Sequence, residues 1–346
     1  MHSGSSSFRR RSLQDLNCLT SGEMSDEWVE QKVAYLLNNS GQYHPPVELT
    51  PALLKLCRVI QVNYIRGLPE VGRLQIRKSG FVVDITPTSA KEIGWDRVVL
   101  AHEVAHSLLY DVSSWPPKSL VSYRAGHWEL EAICSYFARC LLVPKVWLIG
   151  ALRDISREAA TMNRLKSLDL LAKRFNVPWR LLAKRLVEDL ECLDCVILKF
   201  SCSALRNSGG SGEPKPDWRL TWCAVPPYLR ESVYIPFGRK VHGKRKCPRV
   251  KGRISRVIGE CTTRSLFNEF FTLEVGAEEL VSSTTGGLGK FISTELGLKR
   301  VELHCRSGIR SHTSLFSEPP GFSGGEIVLS ILLPNQQVSR TAMDSP

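Results

Sequence analysis

RVVLAHEVAHSLL, residues 97–109, is the stretch that decides the fold of this chain. Its apolar residues recur at helical spacing, which predicts a helix that begins near Asp96. His102 and His106 are four residues apart, so both imidazoles lie on one face of that helix and can reach a single ion. Glu103 projects beside them. There it can take a proton from water next to the ion and later deliver it to a leaving amine.

A catalytic zinc ion takes three protein ligands, so a third ligand has to come from another element. The next predicted helix, about residues 127–142, contains Glu129 and Glu131. Glu131 shares a mostly apolar face with residues 135, 138 and 142, and a buried carboxylate without a partner is costly. The face of Glu129 also permits burial, so both glutamates are candidates and the face argument favours Glu131.

Helix and strand signals also precede this pair of helices. Apolar spacing predicts helices over residues 26–38 and 51–57, the second with Thr50 as its N-cap. Partial alternation predicts strands over 59–64, 72–77 and 81–85. We therefore predict an α+β fold for the N-terminal part, with a small sheet packed on the active-site helix.

Several of these stretches together resemble the ImmA/IrrE metallopeptidase family. They are PPVEL at 45–49, Gly72-Arg73-Leu74 with the strand 81–85, RVVLAHEVAHSLL at 97–109, and EAICSYFARCLLVP at 131–144. The resemblance covers about residues 26–190. It implies a zincin-like fold that holds one Zn²⁺ per chain through His102, His106 and Glu131, with Glu103 as the general base. Ala105 stands where the family has glycine, and Ser135 stands where it has Asp or Asn.

The same resemblance implies a cytoplasmic endopeptidase that cleaves a helix-turn-helix transcriptional repressor in a bacterial regulatory or stress response. No run of about 18 apolar residues occurs and no apolar segment follows the N-terminal arginines, so we expect neither a membrane partner nor a secretory signal. Eleven irregularly spaced cysteines indicate reduced thiols. The single C-x-x-C pair, Cys192 and Cys195, is a weak zinc signal.

A competing hypothesis is a DNA-binding or scaffolding regulator with a residual metal site. The net charge of +12 suits an anionic partner. Residues 168–186 have helix-turn-helix texture, with Arg180, Lys184 and Arg185 as candidate nucleic-acid contacts. Packing of this helical pair on the peptidase core is the favoured alternative.

Residues 239–256 contain nine Lys or Arg and no acid, a pattern that suits either a phosphate-binding segment or a solvated hairpin. The intact Glu103 argues against a residual site.

Two further residues precede the Glu131 helix. Tyr123 and His127 are candidates to hydrogen-bond the oxyanion that forms when water attacks a peptide carbonyl. For His127, a structural or solvated role is the favoured alternative.

Composition divides the chain into five parts. Residues 1–24 predict a disordered tail, 25–150 the peptidase domain, and 151–205 a helical extension. Residues 206–216 read as a flexible linker. Residues 217–346 predict a separate α+β domain, whose role is open between sensing a signal and binding the substrate protein.

Overall fold

The computed structural model describes residues 26–87, 94–113, 115–120, 127–158, 164–193, 195–203, 217–227, 240–241, 244–245, 270–276, 300–309 and 325–332. These residues form a mixed arrangement of helices and small sheets, which confirms the predicted α+β class. The chain divides into two units, residues 1–160 with 168–185, and residues 161–167 with 186–346. The predicted tail, 1–24, and the predicted linker, 206–216, lie outside the described residues.

The first unit begins with two helices, α1 (Asp26–Asn39) and α2 (Pro51–Leu56). The buried residues of α1 follow helical spacing and are Val29, Val33, Leu36 and Leu37. The hydroxyl of Thr50 accepts a hydrogen bond from the backbone N–H of Leu53 at 3.3 Å. That contact confirms Thr50 as the N-cap and explains why α2 begins at the following proline.

A three-stranded sheet follows, made of β1 (Val59–Tyr64), β2 (Gly72–Arg77) and β3 (Gly80–Ile85). The strand order is β1-β3-β2, with β1 parallel and β2 antiparallel to β3. Every residue of β3 is buried, as a central strand requires. The helix α3 (Trp95–Ser107) packs on β2, β3 and α4 (His127–Leu142). A short pair, β4 (Tyr110–Asp111) and β5 (Lys118–Ser119), lies between α3 and α4 in the chain.

Three further helices are α5 (Lys145–Glu158), α6 (Arg164–Phe175) and α7 (Trp179–Lys184), and a π-helical turn (Arg185–Asp189) continues α7. The turn predicted between α6 and α7 is confirmed, with Asn176 at a φ of 51°. Arg97 of α3 donates to the backbone carbonyls of Asn176 at 2.7 Å and Phe175 at 3.5 Å. These bonds satisfy carbonyls at the end of α6 and join the α6–α7 turn to the first turn of α3.

The second unit contains a five-stranded antiparallel sheet. Its strands are β6 (Cys195–Ser203), β7 (Asp217–Ala224), β10 (Phe270–Gly276), β11 (Arg300–Ile309) and β12 (Gly325–Leu332). They lie in the order β10-β11-β12-β6-β7. A pair of two-residue strands, β8 (Lys240–Val241) and β9 (Lys244–Arg245), lies within the basic run 239–256. Because the described residues of 217–346 are mainly strands, the α+β character of that part stays a prediction.

The predicted helical extension is too long at its C-terminal end. We expected a helical extension over residues 151–205, whereas residues 195–203 form β6, paired with β12 on one side and β7 on the other. Val196, Ile197 and Leu198 are buried in this strand. The spacing of residues in a short apolar run does not distinguish a buried strand from a buried helix. The secondary structure of such a run therefore depends on the segments that it pairs with in the folded chain.

Within the described ranges, no single helix has the length and apolar character needed to cross a membrane. One pair of helical segments, Leu130–Leu142 with Lys145–Ile155, passes that test jointly, by length and composition only, and it is bent by 54°.

Asp84 joins the three strands of the first sheet through its side chain. Its carboxylate accepts hydrogen bonds from Asn63 of β1 at 2.9 Å, from Arg73 of β2 at 3.0 Å, and from Gln75 of β2. Burial alone would raise the pKa of Asp84, but these hydrogen bonds and the charge of Arg73 outweigh burial and hold the pKa below its ordinary value. The ionised carboxylate therefore fixes the register of the sheet.

We expect Asp84→Asn to lower the free energy of unfolding by about 2 kcal/mol at neutral pH, because charge-assisted hydrogen bonds are lost in a site that is 1% exposed. A lowered folded-state pKa contributes stability that is present above the unfolded pKa, about 3.9, and is lost as the pH falls through the folded-state pKa. Urea denaturation of both proteins from pH 7 to pH 3 should show the gap closing below about pH 4. A gap that is constant over this range would contradict the role of the charge.

Candidate metal centre

Three side chains from two helices converge on one point. His102 and His106 lie one turn apart on α3, and Glu131 projects from α4. The Nε2 atoms of the two histidines are 3.2 Å apart. The carboxylate of Glu131 reaches both, with Oε2 at 3.1 Å from His102 Nε2 and Oε1 at 3.4 Å from His106 Nε2. All three ligand atoms lie within 4.8 Å of one another, so the group can hold a metal ion.

The spacing of these atoms suits one bound metal ion. Donor atoms bonded at about 2.1 Å to a tetrahedral zinc ion lie roughly 3.4 Å from one another. The distance of 3.2 Å between the two Nε2 atoms is close to that value, and the two oxygens of Glu131 lie at similar distances, Oε2 at 3.1 Å from His102 and Oε1 at 3.4 Å from His106. Two facing imidazole nitrogens at 3.2 Å repel unless a proton or a cation lies between them. Nitrogen and carboxylate donors in this number also leave an open position for water or substrate.

The other ring nitrogen of each histidine contacts α4. The Nδ1 atom of His102 is 3.4 Å from the hydroxyl of Ser135, and the Nδ1 atom of His106 is 3.3 Å from the Cys134 thiol. Glu131, Cys134 and Ser135 occupy positions i, i+3 and i+4, which share one helix face. A single face of α4 therefore supplies one ligand and the two groups that orient the histidines toward it.

Burial keeps the His102 imidazole in the form that binds metal. The pKa of His102 is lowered by burial, which outweighs the opposing effects of the charge and hydrogen bond of Glu131. The neutral ring is thus the dominant form near pH 7, and a neutral ring nitrogen is the form that coordinates a cation.

Glu103 is buried on α3 beside the two histidines, with 6% of its surface exposed. Its side chain lies against Gly72 of β2. Burial, then the charges of Glu131 and Glu70, raise the pKa of Glu103 to about 7. A carboxyl group with that pKa is effective both in accepting and in returning a proton near neutrality.

The structure brings together four of the predicted site residues: His102, Glu103, His106 and Glu131. The backbone of Glu129 and His127 lies in α4, but their side chains are outside the described part of the chain, as is the whole of Tyr123. The predicted roles of His127 and Tyr123 therefore stay predictions, as does the alternative ligand Glu129.

The three candidate nucleic-acid contacts differ in how deeply they are buried. Arg185 is fully buried, donates to the backbone carbonyl of Val143 at 3.2 Å and pairs with Glu30, so it does not face solvent. The prediction that Arg185 contacts phosphate is wrong, because its position on the helix points into the core of the first unit. Arg180 is half-buried with its guanidinium 5.9 Å from the Trp95 ring centre, and Lys184 is half-buried.

The C-x-x-C pair, Cys192 and Cys195, belongs to no group of three or more potential ligands among the described side chains. Cys195 is buried in β6, and the Cys192 thiol donates to the Leu190 carbonyl at 3.5 Å. Among the residues that the structure describes, the His102, His106 and Glu131 group is the one that meets the criteria for a metal site.

The sequence analysis assigned no role to three residues near the centre: Cys134, Gly72 and Glu70. Cys134 shares the Glu131 face at i+3, a signal that was present in the spacing. Gly72 begins a strand in which glycine is disfavoured, which is a local sign of a close approach. Glu70 acts on Glu103 through its charge, and no sequence period predicts that interaction.

Ser135→Ala is expected to lower zinc affinity about tenfold, which is the lower end for residues that orient a metal-binding histidine. The effect is small because the Oγ–Nδ1 distance of 3.4 Å is long for a hydrogen bond. Competition with a fluorescent zinc chelator measures it. The control is Ser40→Ala, which removes a hydroxyl bonded to the Leu36 carbonyl far from the centre in sequence. Equal affinities for Ser135→Ala and the wild type would show that Ser135 does not orient His102.

Comparisons with known proteins add little to this geometry. No protein-family model and no curated protein matches the chain. One solved structure, described as a Mycobacterium tuberculosis transcriptional regulator, is similar with a TM-score of 0.45 and 11% sequence identity. The match covers 92% of this chain and 78% of that one. A similarity at this level carries no argument about fold family or function.

Proposed function

We propose that this chain is a zinc-dependent endopeptidase of the ImmA/IrrE type, with zincin-like packing of the small sheet on α3. The observation that carries the proposal is the convergence of His102, His106 and Glu131 beside a buried Glu103. A structural metal site has no need of a fourth, uncoordinated carboxylate with a raised pKa. A hydrolytic site needs such a group to move a proton.

The residues of the site have separate roles in the proposed reaction. His102, His106 and Glu131 would hold the ion, and Ser135 and Cys134 orient the two imidazoles. When bound, zinc supplies a Lewis acid that polarises a carbonyl and lowers the pKa of water. Glu103 accepts a proton from the attacking water and delivers it to the leaving amine, so it ends the cycle in its starting form. The carboxylate of Glu103 would be favoured at the start of the cycle with a cation held by the three ligands, because a nearby positive charge opposes the burial that raises its pKa.

For the substrate, we propose a helix-turn-helix transcriptional repressor in the bacterial cytoplasm, on the strength of the sequence resemblance in residues 26–190. Residues 217–346 are the candidate for sensing a signal or binding that repressor. The competing proposal, a DNA-binding regulator with a residual metal site, loses support because one of its three candidate contacts, Arg185, is buried.

The test is hydrolysis by the full chain of a peptide pool made from a digested bacterial proteome, with cleavage sites read by mass spectrometry. We expect new peptide termini that disappear after chelation and return when about one equivalent of Zn²⁺ per chain is restored. The control pool is incubated with the chelated protein.

Two results would contradict the proposal. One is a zinc-loaded, folded protein that yields no new termini from the pool or from candidate repressors. The other is tight DNA binding with a steep dependence on salt, in a protein without hydrolysis, which would favour the regulator.

A further inference from the structure

Gly72 lies at the first position of β2, against the side chain of Glu103. A Cβ atom added at Gly72 would lie 2.9 Å from Glu103 Oε1, 3.0 Å from Glu103 Cγ and 2.7 Å from Val99 Cγ1. Non-bonded carbon atoms prefer about 3.5–4.0 Å. Any side chain at this position therefore collides with the proposed general base and with the helix turn that precedes it.

The backbone does not explain the glycine. The glycines with left-handed φ values in the described residues are Gly41, Gly67 and Gly94, and Gly72 is not among them. Gly72 pairs with Ile85 in the antiparallel register of β2 and β3, so its conformation is one that any residue adopts. Strands favour β-branched residues, and a glycine weakens them. What the missing side chain provides here is space for Glu103.

We propose that Gly72 is a positioning residue for the hydrolytic reaction, because its lack of a side chain leaves the room in which the Glu103 carboxylate lies. This inference rests on the proposed function. Val99 is β-branched and stiff about χ1, so its 2.7 Å contact with an added methyl group is relieved by a shift of β2 away from α3, whereas the 2.9 Å contact is relieved by movement of the end of the Glu103 side chain. Gly72→Ala therefore displaces Glu103 relative to β2.

The test compares four full-length, zinc-loaded variants with the wild type, using one peptide that the wild type cleaves. Gly72→Ala adds the methyl group, and Val99→Ala with Gly72→Ala removes the stiff neighbour so that the methyl group has room. Val99→Ala alone controls for the lost packing. Gly80→Ala controls for strain in the same sheet, since its Cβ would meet the Arg58 carbonyl at 2.6 Å, away from Glu103.

We expect Gly72→Ala to keep its zinc and its KM while kcat falls about 10²-fold, the size of effect that a misplaced catalytic group produces. The double variant should recover much of that loss. Gly80→Ala should lose thermal stability but retain kcat. A crystal structure of Gly72→Ala should show Glu103 Oε1 moved until it clears the new methyl group, to about 3.5 Å.

The inference is overturned if Gly72→Ala retains the wild-type kcat, if Gly80→Ala loses kcat equally, or if Glu103 keeps its position in the Gly72→Ala crystal structure. Failure of the proposed function gives a different result. In that case the wild type cleaves no peptide, and the crystal structure alone decides whether Gly72 makes room for Glu103.

Discussion

Glu103→Gln is expected to lower kcat by about 10²–10⁴-fold while the protein keeps its zinc, since general acid–base catalysis by one side chain contributes on that order. Glutamine has nearly the same shape but neither accepts the proton of the attacking water nor returns one to the amine. Glu103 is not one of the three converging metal ligands, so zinc content should match the wild type. Peptide hydrolysis and elemental analysis on the same preparations measure both quantities.

The matched control is Glu27→Gln, the same chemical change on the exposed face of α1, and it should leave kcat unaltered. If Glu103→Gln hydrolyses peptides at the wild-type rate, Glu103 is not the base and the division of roles in the site is wrong. Loss of zinc together with loss of activity would instead mean that Glu103 acts as a ligand.

Arg185→Ala is expected to lower the free energy of unfolding of the first unit by about 3 kcal/mol, because it removes a fully buried side chain with its hydrogen bonds and leaves the half-buried Glu30 without this partner. Arg185 is fully buried, pairs with Glu30 of α1 and donates to the Val143 carbonyl just after α4. Its guanidinium also lies 5.9 Å from the ring centre of Tyr136. Urea denaturation followed by circular dichroism measures the loss.

Arg174→Ala provides the comparison. Arg174 pairs with Asp154 at 3.0 Å, and both side chains are exposed, so this change should cost at most about 1 kcal/mol. Equal losses of unfolding free energy in Arg185→Ala and Arg174→Ala would show that the buried pair stabilises the protein no more than the exposed pair does. A stable Arg185→Ala protein that binds DNA less tightly than the wild type would restore the nucleic-acid role that its burial argues against.

The ligand set was predictable because its information is local. The i, i+4 spacing of His102 and His106 follows from helix geometry, and the face argument together with the family resemblance favours Glu131 over Glu129. The helices α1 to α4 and the strands β1, β2 and β3 also agree with their sequence periods to within a residue or two, whereas the short strands β4 and β5 were not predicted. In these segments, apolar spacing and N-cap chemistry point to one structure.

The remaining features depend on residues that are distant in sequence. In the sequence, Arg185 looks like a residue on the solvated face of a helix. In the structure it is buried and pairs with Glu30, which lies 155 positions away in the chain. The strand β6 is fixed by β12, more than a hundred residues further along the chain. Gly72 meets Glu103 only because α3 packs on β2. Single-sequence periods carry no information on such contacts.

The central claim is that His102, His106 and Glu131 hold one zinc ion, and elemental analysis of the full chain tests it most directly. The wild type, Glu131→Ala and Glu129→Ala are purified in parallel and checked for folding by circular dichroism. We predict about one zinc per chain in the wild type and in Glu129→Ala, and none in Glu131→Ala. A folded wild type that binds no metal after zinc is supplied would contradict the account, and zinc lost in Glu129→Ala but kept in Glu131→Ala would reassign the third ligand.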